Sequence, residues 1–192
     1  MKTLRKTAEE AYLKYANKII NRETWIDGFI SGIQYKKEYP QSIELCGLLW
    51  DTENLAIGGY EKDGRHYYTW DEAMEAAKSV GKRLPTQYEW EALCDLGSTW
   101  DDELKGRWFG GNHNSDHKGS LFLPIAGLSS SKGLGYRTKM IGTSSNGYYW
   151  SSSPNYGGNN NAGNLNFNSG DVYPLDNLNR AYGCSVRCVQ NK

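Results

Sequence analysis

The chain has 192 residues, with 22 Lys and Arg against 22 Asp and Glu, and a pI near 6.8. That length supports one core of ordinary size without staples. The charge balance argues against a nucleic-acid partner, which would call for a basic excess or stripe. No apolar run approaches the roughly 20 residues needed to insert in a bilayer. The basic N-terminus leads into no apolar stretch of the secretory kind, and four cysteines do not make a disulfide framework. Seven Trp, fourteen Tyr and 22 Gly beside five Pro point to a loop-rich fold with rigid aromatic anchors.

In chain order, residues 1–44 read as a helical segment that packs or docks. Thr7 and Glu10 fit a capping box, and Ala8, Ala11, Tyr12, Tyr15 and Ile19 follow at helical spacing. Trp25, Phe29, Ile30 and Ile33 predict a second helix, weakened by Gly28 and Gly32 and ended by Pro40. Residues 45–57 are apolar and predicted extended. Two firm helices come next. Thr69 and Glu72 open one that runs through Ala73, Ala76, Ala77 and Val80 to Gly81. Thr86 and Glu89 open the other, with Trp90, Leu93 and Cys94 inward and Gly97 as its stop. Residues 98–139 read as long ordered loops with little regular structure.

Residues 151–189 use an abnormal alphabet: nine Asn, and no Lys, Glu, Gln, Met or Trp, although residues 1–150 hold 38 of those five types. Randomising the first two bases of an Asn codon gives Tyr, Ser, Gly, Asp, Leu, Cys, Arg, Phe, Val, Ala and Pro, but none of the five missing residues. The other reading is an ordinary Asn/Gly/Ser-rich loop, which also disfavours Lys and Glu. Within the segment, residues 164–168 alternate, so a strand would bury Leu165 and Phe167 and turn Asn164, Asn166 and Asn168 the other way. Ser169 and Gly170 make a turn, residues 171–173 alternate again, and residues 184–189 predict a third strand with Cys184, Val186 and Cys188 on one side. Strands that carry Tyr and small polar residues outward have the composition of a paratope.

Residues 68–73 (YTWDEA), 81–93 (GKRLPTQYEWEAL) and 121–127 (LFLPIAG) resemble the formylglycine-generating-enzyme branch of the C-type lectin-like fold. Residues 147–153 (GYYWSSS) and 181–189 (AYGCSVRCV) resemble the variable proteins of diversity-generating retroelements, found in bacteria and their phages. The resemblance covers roughly residues 45–190. It implies an α+β, C-type lectin-like domain over residues 45–192, with a variable region at 146–189. It also implies a non-catalytic, cofactor-free display surface, in which error-prone copying of a template strikes Asn codons. The implied partner is a protein or surface glycan, and residues 1–44 would dock to a virion or a host assembly. The chain would then be virion-associated or cytoplasmic, reaching a cell surface only by a non-classical route.

The outward positions expected to contact ligand are Asn155, Tyr156, Gly157, Gly158, Asn159, Asn160, Asn161, Gly163, Asp171, Tyr173, Leu175, Asp176, Asn177, Leu178, Asn179 and Tyr182. Tyr156, Tyr173 and Tyr182 would form the centre. Leu175 and Leu178 stand in what reads as a polar turn, where binding explains them better than solubility does. Asn164, Asn166 and Asn168 are left open between variable and fixed. Trp150, Leu165, Phe167, Val172, Val186 and Arg187 are assigned to scaffold.

Rival chemistries have weaker footing. Relatives with this fold that modify sulfatases use a cysteine pair for copper, but Cys184 and Cys188 would lie roughly 13 Å apart on a strand, and Cys46, Cys94, Cys184 and Cys188 all read as buried, reduced thiols. His113, Asp116 and His117 stand close in sequence within a Gly-rich loop and read as solvated side chains before a cation site. A calcium lectin needs several oxygen ligands including carboxylates, and residues 151–192 offer only Asp171 and Asp176. Sugar binding on aromatic platforms stays open, as does an undiversified domain of the same fold.

Overall fold

The computed structural model describes residues 41–111, 117, 119–130, 140–155 and 160–192. The two helices expected within residues 1–40 lie outside that set, as do His113, Asp116 and residues 156–159. The described residues form a mixed α and β structure, mostly short strands with two helices.

Strands β1 (Ser42–Leu45) and β2 (Leu48–Asp51) form a hairpin, turned by Cys46 and Gly47 at φ 51° and 74°. The final strand, β13 (Val189–Asn191), pairs with β2 from its other side, so the first and last strands share one sheet. β1 begins at Ser42, ahead of the boundary expected at residue 45. A second hairpin, β3 (Tyr60–Lys62) with β4 (Arg65–Tyr67), leads into helix α1, Trp70–Ser79. Helix α2 spans Gln87–Asp95. Both capping boxes form: Thr69 and Thr86 accept from the backbone N–H of Glu72 and Glu89, whose carboxylates accept from the cap N–H groups in return. Gly81 at φ 72° and Gly97 at φ 84° follow the two helix ends, in the left-handed region that a side chain resists.

Residues 98–139 depart from the loop expectation. Strands β5 (Ser98–Asp101), β6 (Gly106–Phe109) and β7 (Leu121–Pro124) form a three-stranded antiparallel sheet, and β8 (Leu128–Ser129) pairs with β9 (Met140–Ile141). Every residue of β6 is buried, so no alternation marked it in sequence. Residues 183–188 also differ from the single strand expected. They are buried throughout and bond to one element after another: Gly183 to Ser129, Cys184 to Tyr68, Ser185 to Tyr148, Val186 to Leu55 and Cys188 to Asp51.

The last sheet joins β10 (Gly147–Pro154), β11 (Asn161–Phe167) and β12 (Val172–Asn179) in that order. It runs between two apolar clusters. Tyr149, Leu165 and Phe167 enter one, built on Trp50, Trp90, Leu93 and Phe109. Trp150 and Ala162 enter the other, with Tyr68, Leu84, Cys184 and Val186.

Arg187 is buried, and its hydrogen bonds to described residues run to neutral oxygens. Its Nε and Nη2 donate to Asn54 Oδ1 at 3.0 and 2.6 Å, and Nη1 donates to the Asp51 carbonyl at 2.9 Å. Asn54 Nδ2 donates to the Tyr149 hydroxyl, which donates to the Pro124 carbonyl. Burial pulls the guanidinium below its ordinary pKa, while the nearby Tyr149, Glu53 and Asp51 groups favour its charge and its hydrogen bonds offset part of the cost. Arg187→Ala should therefore lower the unfolding free energy by about 3 kcal/mol, because Asn54 and Asp51 lose their donor. Urea denaturation checks this, and a loss below about 1 kcal/mol would show that the guanidinium is not the tie it looks like.

Candidate functional site

The third sheet presents the segment with the restricted alphabet, and two register shifts shape it. In β10 the pairing passes from Trp150↔Asn164 to Pro154↔Ala162, so Ser151, Ser152 and Ser153 stand opposite Gly163 alone. This excess docks on the start of α2. Ser152 N–H donates to the Pro85 carbonyl, and Ser153 Oγ accepts from Gln87 N–H. Gln87 Nε2 then donates to the Asp176 carbonyl at 3.0 Å, fastening β12 to the same helix.

In β12 the pairing passes from Asn164↔Asp176 to Asn166↔Tyr173, which leaves one extra residue around Pro174 and Leu175. Directly opposed residues share a face of the sheet, so Tyr173 and Asp176, three apart, face the same way as Asn164 and Asn166. β12 is the outer strand of this sheet, and Pro174 takes a donor off its rim. A cavity of about 540 Å³ opens at the shift, lined by Asn166, Val172, Tyr173, Pro174, Leu175 and Asp176. Tyr173 and Leu175 are 49% and 50% exposed, a large aromatic and a large aliphatic side chain beside one cavity.

The other candidate positions divide. Asn160, Asp171 and Asn177 are exposed, and Asn161 Nδ2 donates to Asn177 Oδ1 across the strands. Asn155 is half-buried near the mouth of the β10–β11 connection, where its N–H donates to the Asn161 carbonyl. Asn179 is half-buried, and its Oδ1 accepts from Ala181 N–H. Tyr156, Gly157, Gly158 and Asn159 lie outside the described residues.

Three expectations need correction. Gly163 is not outward: it is buried, and a Cβ there would run into the Gln87 side chain, because the β10 excess brings α2 over it. Leu178 stands in a strand, not a polar turn, and packs half-buried on the second apolar cluster. Tyr182 packs on the same cluster, so Tyr173 alone of the expected tyrosine trio is half-exposed among the described residues. Trp150, Leu165, Phe167, Val186 and Arg187 are buried, and Val172 packs half-buried against the first cluster.

Asn164 is the least expected side chain. The alternating pattern turned it away from the core, yet it is fully buried between Trp150 and Asp176, its neighbours across the two strand pairs. Both its amide atoms lack a hydrogen-bond partner among the described residues, as does Asn166 Oδ1. Asn166 Nδ2 donates to Asp176 Oδ2 at 3.2 Å, and Asp176 Oδ1 accepts from Asn177 N–H. The ring of Tyr148, opposite Asn166, borders the cluster, and burial followed by the Asp176 charge raises its phenol pKa.

The cysteines offer no ready thiolate. Burial pushes Cys94 and Cys188 up to about 12 and lifts Cys184 well above its ordinary value. Cys46 departs from the buried thiol expected: it is exposed, desolvation and then the Asp95 charge raise its pKa, and it donates to the Ala92 carbonyl. His117 stacks on Trp108 with ring centroids 4.4 Å apart. Among the described residues no three His, Cys, Asp or Glu side chains converge as a metal site, and no helix is long and apolar enough to cross a membrane. Sequence reasoning missed Gln87 and Tyr148, since the motifs that hold them read as scaffold; the helix packing brings Gln87 to β12 and the strand pairing brings Tyr148 to β11.

No protein-family model matches the chain, and neither a curated protein nor a solved structure is detectably similar to it.

A buried amide without partners is a liability. Replacing it by an apolar group of similar size removes the desolvation cost. Asn164→Leu is expected to leave the fold as stable or to raise the unfolding free energy by about 1–2 kcal/mol. A loss of similar size in thermal or urea unfolding would mean that Asn164 has a structural partner.

Proposed function

We propose that the chain is a non-catalytic, ligand-binding protein with the C-type lectin-like fold of the formylglycine-generating-enzyme branch. In this reading, the outer strand of its last sheet and the neighbouring turns carry a surface diversified by a retroelement of a bacterium or its phage. The observation that carries the proposal is where the restricted alphabet falls. The residues written in it supply the cavity, the exposed Tyr173 and Leu175, and the asparagines around them. The motifs behind the resemblance form the supports: the Thr69 and Thr86 caps, the Arg83–Glu89 ion pair at 2.7 Å, and buried Trp90, Trp150 and Arg187.

Division of labour of this kind suits recognition. A rigid frame limits the entropy lost on binding, and Tyr offers a large contact area with few rotors. The ligand is a protein or a surface glycan, and the segment before β1 provides attachment to a virion or a larger assembly.

Sequencing codons 146–190 across a source population, with the downstream DNA, tests the proposal. Substitutions confined to Asn-derived codons, with a near-identical template and a reverse transcriptase gene nearby, are the expected result. An invariant segment with no template would overturn it and leave an undiversified domain with one fixed partner. At the protein level, Tyr173→Ala should weaken binding of a selected ligand by at least about ten-fold while the melting temperature stays nearly unchanged. A large drop in melting temperature would reassign the ring to the core.

A further inference from the structure

Residues 146–189 contain two cationic side chains, Arg180 and Arg187, and no Lys or His. Arg187 is 1% exposed and committed to Asn54 and Asp51, so Arg180 is the cation this segment can offer to a partner. Arg180 directly follows β12 and is half-buried. Its backbone is fixed on both sides: its N–H donates to the Asn160 carbonyl at 2.9 Å, and its carbonyl accepts from Trp70 N–H at 3.0 Å. Its guanidinium is fixed as well. The central carbon stands 4.2 Å from the centre of the Trp70 ring, and Nε donates to the Asn161 carbonyl at 3.2 Å. The ring itself is held in place, because the Trp70 indole donates to the Ser151 carbonyl at 2.7 Å. That leaves the two terminal amino groups. Among the described residues they have no protein acceptor and pair with no carboxylate. They are not enclosed either, since the buried side-chain atoms without partners among those residues belong to Asn164 and Asn166.

We infer that the two terminal amino groups of Arg180 take the carboxylate of an Asp or Glu side chain from a protein ligand. A guanidinium is planar, and all its N–H bonds lie in that plane. Nε is turned to the Asn161 carbonyl, so the free edge is the one that joins the two terminal nitrogens. The parallel N–H bonds of that edge match the two oxygens of a carboxylate. The Trp70 ring covers a face of the group and not an edge, so the stacking and the carboxylate do not compete. An exposed ion pair is ordinarily worth little, partly because a long side chain must be ordered to make it. Here the stem, the plane and the ring are already held, so that ordering is done in folding and not in binding. Lysine at the same position would present a point charge with no fork and no plane. The inference rests on this segment being a ligand-binding surface, and it narrows one contact of that surface to an acidic side chain. Because Arg180 lies in the segment with the restricted alphabet, the preference belongs to the present sequence and would change with residue 180.

The test is an NMR titration of the full chain at low salt with N-acetyl-glutamate methylamide. The glutamine counterpart is the neutral control, and methyl glucuronide offers a carboxylate on a sugar. The Arg180 Nε–H signal, the Trp70 indole signal and the amides of residues 160, 161 and 179–181 report on the site. Saturable shifts centred there are expected for the glutamate compound, weakening as salt is added, with affinity lower by at least about ten-fold for glutamine. Arg180→Lys, with its amide spectrum otherwise folded, keeps the charge and should bind glutamate about ten-fold more weakly. No saturable shift, shifts centred elsewhere, or glutamine binding as well as glutamate would overturn the inference; so would a folded Arg180→Lys that binds unchanged. Tighter binding of the glucuronide than of glutamate would overturn the protein ligand and assign the carboxylate to a sugar. The glutamine comparison needs no variant, so it decides the matter even if Arg180→Lys fails to fold. Diversified codons with no glutamate binding would sink this chemistry alone. Glutamate binding with invariant codons would sink the diversification and leave the arginine contact.

Discussion

Strand β10 is held from both sides, and the surface beyond it depends on that constraint. Tyr149 points into one apolar cluster and Trp150 into the other. Trp150 also makes three long-range bonds: its indole donates to the Tyr68 carbonyl at 2.7 Å, its N–H donates to the Ser185 carbonyl, and its carbonyl accepts from the Trp90 indole. A strand with both faces covered cannot slip by one residue without moving every side chain into the wrong core. β11 inherits that fixed register, and β12 is added to it from outside. A substitution on β12 therefore meets a frame whose geometry is already determined.

The register shifts turn this frame into a site. A regular β12 would send Tyr173 and Asp176, an odd number of residues apart, to opposite faces. The extra residue near Pro174 brings them to one side and opens the cavity between them. The larger excess in β10 binds the start of α2, and from there Gln87 reaches the Asp176 carbonyl. At its far end β12 is anchored by Arg180, which lies 4.2 Å from the Trp70 ring centre and donates to the Asn161 carbonyl. Helix starts thus hold the middle and the C-terminal end of an outer strand that has no strand partner on its free side among the described residues.

Local chemistry made the helices legible: capping residues, their reciprocal carboxylates and the terminal glycines lie within a few positions of each other. The β11 alternation, the turn at Ser169 and Gly170, and the burial of Leu165 and Phe167 were legible for the same reason. What escaped was non-local. β6 is covered on all sides, so its four residues carry no period. Residues 183–188 satisfy their backbone on three strands and two connecting segments and have no single pattern to display. Asn164 was misplaced because alternation predicts two faces, one wet and one dry, whereas this sheet has apolar clusters on both; Gly163 was misplaced because only the tertiary fold brings Gln87 of α2 over it. The cavity arises from an unequal count of residues between paired strands, which only pairing reveals.

Asn164 bears on the choice between a fixed and a written surface. Packing alone would place an apolar residue between Trp150 and Asp176, or an amide with its partners built in. An unsatisfied amide there costs stability, about 1–3 kcal/mol by ordinary measures, against a total that is only several-fold larger. Such a cost persists where residue identity answers to something other than the packing of the core, because no described neighbour in this doubly covered sheet offsets it.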